Sequence, residues 1–455
     1  MSRSGLCIGC GICVAHIDRP DLSMEFDRYG QYKPTGAREW LGKRDEAFST
    51  ICPFSPAACD EDVLAEERFP AAIRRDDRIG RFEAAYVGHA QEQDFRENGS
   101  SGGMVTWVAC ELLAGGLVDG VAHVAAQETG CGEPLFRYRI SRSPDELRSG
   151  AKSRYYPVEL SRVIREIRET PGRYAIIGIP CFIKAVHLAC AQDAVLRQRI
   201  VFTLGLFCGH MKSARMAESF AWQMGTGLKA VSSFDYRLKN PERPANWYAA
   251  QLKLEDGSVR CRDWWNMADG DWGAGFFQNS ACDFCDDVVA ETADISFGDA
   301  WLEPYSSDGR GTNVVIVRSP LLLDIVRAGI AGGRIRLEEV GPDFVAATQA
   351  AGFRQRREGL AYRLTLPKRG IVPVKRVSPD AYRLPSRRKL IYRMRMRTSR
   401  WSHRVFWLAR VLHWPKLYIG WASGASALYH GFAYSRGRLG RIAKRFGIGD
   451  IEWRD

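Results

Sequence analysis

The chain has 455 residues, 45% of them hydrophobic, which suits two or three globular domains. No run of 18 or more uninterrupted apolar residues marks a conventional spanning helix. The net charge of +12 is uneven: from Lys375 to Asp455 there are 19 Lys and Arg against 4 Asp and Glu, so the rest is nearly neutral, which excludes a uniformly basic nucleic-acid binder.

A cysteine cluster begins at Cys7, too early for a secretory leader before it, so the expected location is cytoplasmic. Thirteen cysteines in a reducing compartment point to metal ligation rather than disulfides.

In chain order, residues 1–75 read as a ferredoxin-like iron–sulfur cap. Cys7-Ile-Gly-Cys10-Gly-Ile-Cys13 is a C-x2-C-x2-C run, and Cys52 before Pro53 supplies the expected fourth thiolate of a cubane, with Cys59 the weaker alternative. Gly9 and Gly11 would let backbone amides approach the sulfides. Zinc sites usually pair two C-x2-C knuckles, so this triple fits one face of a cluster better.

Residues 76–215 alternate apolar runs with helical patterns and predict an α/β core. Strands are expected at Ala84–Gly88, Val118–Ala125, Tyr174–Ile179 and Ile200–Phe207, and helices at Met104–Ala114, Val158–Glu169 and Lys184–Ala191. Asn98-Gly99-Ser100-Ser101-Gly102-Gly103 opens the first of these helices, where small residues and free amides suit a phosphate. An ordinary Gly/Ser loop has the same composition. The turn Lys152-Ser153-Arg154-Tyr155 gathers cations, a hydroxyl and an aromatic ring, which suits an anionic planar cofactor as well as a solvated basic turn.

Residues 216–374 add strands at Tyr248–Leu254 and Asn313–Arg318, a Trp/Gly-rich loop at Trp264–Gly275, and the C-x2-C pair Cys282 and Cys285 in a polar loop. Cys181 and Cys208 each end an apolar run. With the later pair they can converge at the carboxyl edge of a sheet, where ligands bind. Buried core thiols are the alternative. Cys110, Cys131, Cys190 and Cys261 have no such neighbours and read as structural.

Residues 375–455 form a basic, Arg/Trp-rich helical tail, expected to pack separately. Arg387–Arg410, with Trp401, Phe406 and Trp407, suits an amphipathic helix on the inner face of an anionic membrane. A surface helix with core-facing aromatics fits the same pattern. No nucleic-acid motif is present, and no such partner is expected.

Jointly, Cys7–Cys13, Gly99–Gly103 with its helix, Leu117–Val121, Gly150–Tyr156, Gly178–Cys181, Gly205–Gly209, Cys282–Cys285 and Ala293–Trp301 resemble the coenzyme F420 hydrogenase/dehydrogenase beta subunit family. The likeness is strongest to its bacterial, polysaccharide-associated branch. It implies FAD near Gly99, Ser100, Ser101, Gly102, Gly103, Lys152, Ser153, Arg154 and Tyr155, with Asp299 close to the flavin or a cluster. It implies one [4Fe–4S] cluster on Cys7, Cys10, Cys13 and Cys52, and another on Cys181, Cys208, Cys282 and Cys285. Arg154 stands where the family often has Lys. The expected fold is a flavin-binding mixed α/β core with an N-terminal iron–sulfur cap and a basic helical tail. The expected function is an oxidoreductase passing electrons from a ferredoxin-like or F420-like donor to an unidentified small-molecule or lipid-linked substrate. A zinc-stabilised, non-redox scaffold of polysaccharide assembly is the alternative. No catalytic acid or base is assigned; His210 and Asp299 are candidates.

Overall fold

Residues 1–455 are described by a computed structural model, apart from 2–3, 18, 20, 38–45, 128–133, 369, 383, 439 and 442–455. At its centre is an eight-stranded mixed sheet in the order Ile335–Glu339, Ala84–Ala90, Asn313–Val317, Ile295–Asp299, Ile200–Leu206, Tyr174–Gly178, Gly120–Ala126, Phe136–Ser141. The four strands from Ile295–Asp299 to Gly120–Ala126 run parallel, and the flanking pairs are antiparallel. Parallel strands are covered on both faces and so read as continuous apolar runs, which is why three of the four were visible in the sequence; Ile295–Asp299, interrupted by Ser296 and Gly298, went unread as a strand.

Helices Met104–Ala114 and Pro320–Ala331 cover one face through Trp107, Leu112, Leu322 and Val326. Helices Ser161–Glu169 and Pro180–Gln192 cover the other through Ile164, Ile167, Phe182 and Val186. Leu6, Ile8 and Ile12 of the N-terminal segment join that second core. Strands Val231–Asp235, Ala249–Leu254 and Val259–Asp263 form a separate antiparallel sheet.

Three expectations need correction. The helix expected from Lys184 begins at Pro180, whose fixed φ suits the first helical position, so Cys181 lies in a helix's first turn rather than at a strand end. Phe136–Ser141 and Ile335–Glu339 went unread as strands because both are edges of the sheet, where charged residues alternate with apolar ones. The tail does not pack separately. Its helices Ser386–Val411 and Pro415–Tyr434 place Ile391, Phe406, Tyr418 and Ala422 in the same core as Phe276 and Phe277. Among the described residues, no helix is long and apolar enough to cross a membrane.

Candidate functional site

Cys181, Cys208, Cys282 and Cys285 line a single cavity, together with Ile8, Phe54, Met211 and Arg356. Cys208 lies just beyond strand Ile200–Leu206, Cys282 lies within the short turn Ser280–Phe284, and Cys285 follows directly after it. That turn is buried rather than a polar loop, because Asp283, Asp286 and Asp287 are all covered. The Met211 amide donates to Cys282 Sγ at 3.3 Å. Burial pushes the thiols of Cys208 and Cys282 up to about 11 and about 12, against the pull of Arg356.

Arg356 closes this cavity, and sequence reasoning missed it. Its guanidinium is buried and donates to the carbonyls of Cys208 at 3.1 Å, Gly209 at 2.7 Å and Cys282 at 3.5 Å. It therefore clamps two cysteine-bearing loops together. Burial opposes its charge, but the four cysteines hold its pKa above the ordinary value. Among the described residues, no three His, Cys, Asp or Glu side chains lie together as ligands of one metal ion. The four thiols surround a space instead, which is what a multi-iron cluster requires.

The N-terminal cysteines form a second group. Burial, then the charges of Cys13, Cys52 and Cys7, raise the Cys10 thiol well above its ordinary value. Burial and Cys7 likewise raise Cys52 to about 11, whereas Cys59 is exposed. Gly9 and Gly11 have φ of +82° and +80°; a Cβ on Gly9 would lie 2.6 Å from Tyr32 O, and one on Gly11 would meet Glu159. Close packing against neighbouring chain thus requires both glycines. The two groups adjoin: Cys10 acts electrostatically on Cys181, and Tyr138 feels both.

The proposed flavin loop and turn also meet, since the Ser153 amide donates to Ser100 Oγ at 2.8 Å. Gly103 has φ +80°, and a Cβ on Gly102 would lie 2.7 Å from Gly88 O, so both need glycine. Ser101 Oγ is engaged with Thr312 O at 3.0 Å, and the Met104 amide with Asn313 Oδ1 at 3.1 Å. Lys152 pairs with Asp235 at 3.3 Å. Arg154 turns over the Phe136 ring at 4.9 Å, with its Nε buried and without a hydrogen-bond partner. Tyr155 packs against Trp272 and Trp264.

Asp299, at the end of its strand, is held by Arg237 through contacts of 2.9 and 3.1 Å. Arg237 and Lys239, also missed from sequence, line a polar pocket with Ser100, Asn240 and Trp247. Lys239 Nζ donates to Ser101 O at 2.8 Å; burial, then the charges of Lys152, Arg237 and Arg96, pull its pKa down to about 7. A buried arginine and a half-buried lysine beside a glycine-rich loop fit the pyrophosphate of FAD. The alternation Tyr236-Arg237-Leu238-Lys239 was the available signal. His210 is buried against Trp272 at 4.3 Å, and its Nε2 has no hydrogen-bond partner.

The remaining cysteines divide. Cys110 and Cys190 are buried, as a structural thiol should be. Cys261 is exposed on strand Val259–Asp263, which corrects its structural reading. Cys131 lies outside the described residues.

Comparison with known proteins agrees with the resemblance. Residues 85–165 match the model "Coenzyme F420 hydrogenase/dehydrogenase, beta subunit N-term", and residues 172–343 match its C-terminal counterpart. A coenzyme F420-dependent sulfite reductase of Methanocaldococcus jannaschii is 23% identical over 351 residues, covering 74% of this chain. The chain spans about half of that relative's length, 48%. A chain of the F420-reducing [NiFe] hydrogenase complex from Methanosarcina barkeri superposes with a TM-score of 0.49 at 17% identity, covering 64% of this chain and 95% of that one. The chain belongs to the coenzyme F420 hydrogenase/dehydrogenase beta subunit family.

Proposed function

We propose that this protein is an oxidoreductase that carries electrons from a low-potential donor, ferredoxin-like or F420-like, by way of two [4Fe–4S] clusters to FAD and on to a substrate. Iron–sulfur clusters exchange single electrons, and FAD can collect two and deliver them as hydride. The observation that carries the reading is the cavity lined by Cys181, Cys208, Cys282 and Cys285, with Cys10 of the first group beside it. Adjacent groups favour electron passage between them. Lys239 and Arg237 would hold the flavin's phosphates, Ser100 and Ser153 would fix the loop, and Tyr155 would offer a ring to the planar part.

In this reading residues 1–75 carry the first cluster, 76–215 most of the flavin contacts, and 216–374 the Cys282 and Cys285 ligands and both pocket cations. Residues 375–455 hold the assembly against a membrane surface. The substrate is a small or lipid-linked molecule of polysaccharide assembly. F420 enters as an alternative donor because the relatives' names include it.

Anaerobically purified protein tests the reading by visible absorption, flavin release, and iron and acid-labile sulfide assays. The expected result is bound FAD with about eight iron atoms per chain, four for each cluster. A colourless protein with stoichiometric zinc would overturn it in favour of the scaffold.

A further inference from the structure

From residue 381 to residue 449 the chain contains no aspartate or glutamate. The arginines of helix Ser386–Val411 divide into two sets. Arg388 and Arg410 turn inward to Glu358 and Glu218, and Arg395 donates to Gly273 O. Arg393, Arg397, Arg400 and Arg404 are exposed, and their spacing of three or four puts them on one face. Among the described residues, no carboxylate pairs with Arg397, Arg400 or Arg404.

The aromatic side of the helix is already used. Phe406 is fully buried, stacked on Trp222 at 4.4 Å and against Tyr418 at 4.9 Å. The helix therefore cannot lie half-sunk in lipid on that face, as its composition suggested. What remains is an arginine ladder ending in an exposed apolar tip: Leu408, Val411, Leu412 and Trp414, the last three each about half exposed at 55%, 54% and 54%. Trp401 is exposed beside the ladder with Arg404 over its ring. Lys416 follows the tip.

We propose that this face docks the protein on an anionic phospholipid surface, with the arginines on headgroup phosphates and the tip entering the interface. Charge complementarity and the end-on tip favour this occupant. Arginine and tryptophan both place a polar part among headgroups and an apolar part below them. A carboxylate-free surface is attracted to anionic lipid and screened by salt. The inference rests on the membrane-surface reading proposed above for the tail, adds its docking face and lipid class, and does not depend on the redox reading.

The test is flotation of the full-length, as-purified protein with phosphatidylcholine vesicles, pure or with about one-third phosphatidylglycerol. Wild type is expected to float only with the anionic vesicles and to be released by salt. Arg397→Glu with Arg400→Glu should weaken binding roughly tenfold or more, with unchanged melting temperature because both side chains are exposed. Leu412→Ser with Trp414→Ser should weaken flotation at low salt and lower the salt concentration that releases the protein. Absence of flotation, equal flotation with neutral vesicles, or insensitivity to charge reversal overturns the proposal. So does retention by RNA or an acidic protein at this face in preference to anionic vesicles.

Discussion

Cys10 and Cys181 stand close enough that the charge of one raises the thiol of the other, although they belong to different cysteine groups at distant points of the chain. Burial is the largest cause of the Cys181 shift, followed by Cys285, Cys208, Cys282 and then Cys10. Tyr138, whose hydroxyl donates to Ile177 O at 2.9 Å, is raised by burial and by both thiols, which places it beside the junction. Two clusters held here would be magnetic neighbours when both are reduced. Cys7→Ala and Cys282→Ala are each expected to remove about half the iron. Paramagnetic resonance of the fully reduced wild type should show coupling broadening, and either variant should sharpen it. Unchanged iron in both variants would defeat the ligand assignment.

Arg356 supplies a buried positive charge beside the second group of thiols. A fixed cation stabilises the more negative, reduced form of anything bound there. Arg356→Met is therefore expected to lower that centre's reduction potential by about 60 mV or more, a tenfold change in a one-electron equilibrium. Arg356→Lys should recover part of the shift but not the carbonyl clamp. Potentiometric titration followed by paramagnetic resonance distinguishes this from simple loss of iron.

Lys239 makes flavin binding pH-dependent. With its pKa drawn down to about 7 by burial and then by Lys152, Arg237 and Arg96, it is charged below that pH and largely neutral above it. A bound phosphate restores the proton, so affinity for ADP, the phosphate-bearing half of the cofactor, should fall as pH rises through 7. Lys239→Met should flatten that profile. For stability the direction reverses: the native state resists a proton the unfolded chain accepts, so stability from this group rises from about pH 7 towards 10.5. Calorimetric titrations at several pH values check both.

Arg376 ties residues beyond the family match to the centre of the molecule. It pairs with Glu291 at 2.8 Å and Asp62 at 2.8 Å, and approaches Asp286 at 3.5 Å. Glu291 and Asp286 are almost fully buried. Arg376→Met would leave Glu291 with Arg357 at 3.5 Å and Asp286 with Lys375 at 3.2 Å, each short of its second cation, and is expected to cost about 3–5 kcal/mol. Chemical denaturation measures it; a loss under 1 kcal/mol, the scale of a surface pair, would refute the role given to this network.

Buried histidines should make the fold acid-labile. Burial holds His123 and His403 down at about 4, so they enter the native structure neutral, while the unfolded chain protonates them near 6.5. Stability from these groups is present above about pH 6.5 and is lost as pH falls towards 4. Melting temperature measured across that range should fall, and His403→Gln should blunt the fall.

Some of this was legible in the chain alone. Helix Met104–Ala114, its glycine entry and the strands Tyr174–Gly178 and Ile200–Leu206 emerged close to their observed bounds because periodicity and turn chemistry are local. The runs Cys7–Cys13 and Cys282–Cys285 announced themselves by spacing, which is set by the ligand geometry they suit. Cys52 could be preferred to Cys59 by its following proline; in the fold Cys52 is half-buried and Cys59 exposed.

Tertiary structure alone decided the rest. Arg356, Arg237 and Lys239 carry no local motif, and their importance comes from burial beside thiols or a glycine loop that distant chain provides. The edge strands Phe136–Ser141 and Ile335–Glu339 were hidden because an edge tolerates polar residues that a central strand does not. In the tail, sequence fixes which residues are aromatic and which are arginine. Which face turns inward follows from the rings it meets, Trp222 and Tyr418, and no local pattern encodes an encounter between segments so far apart.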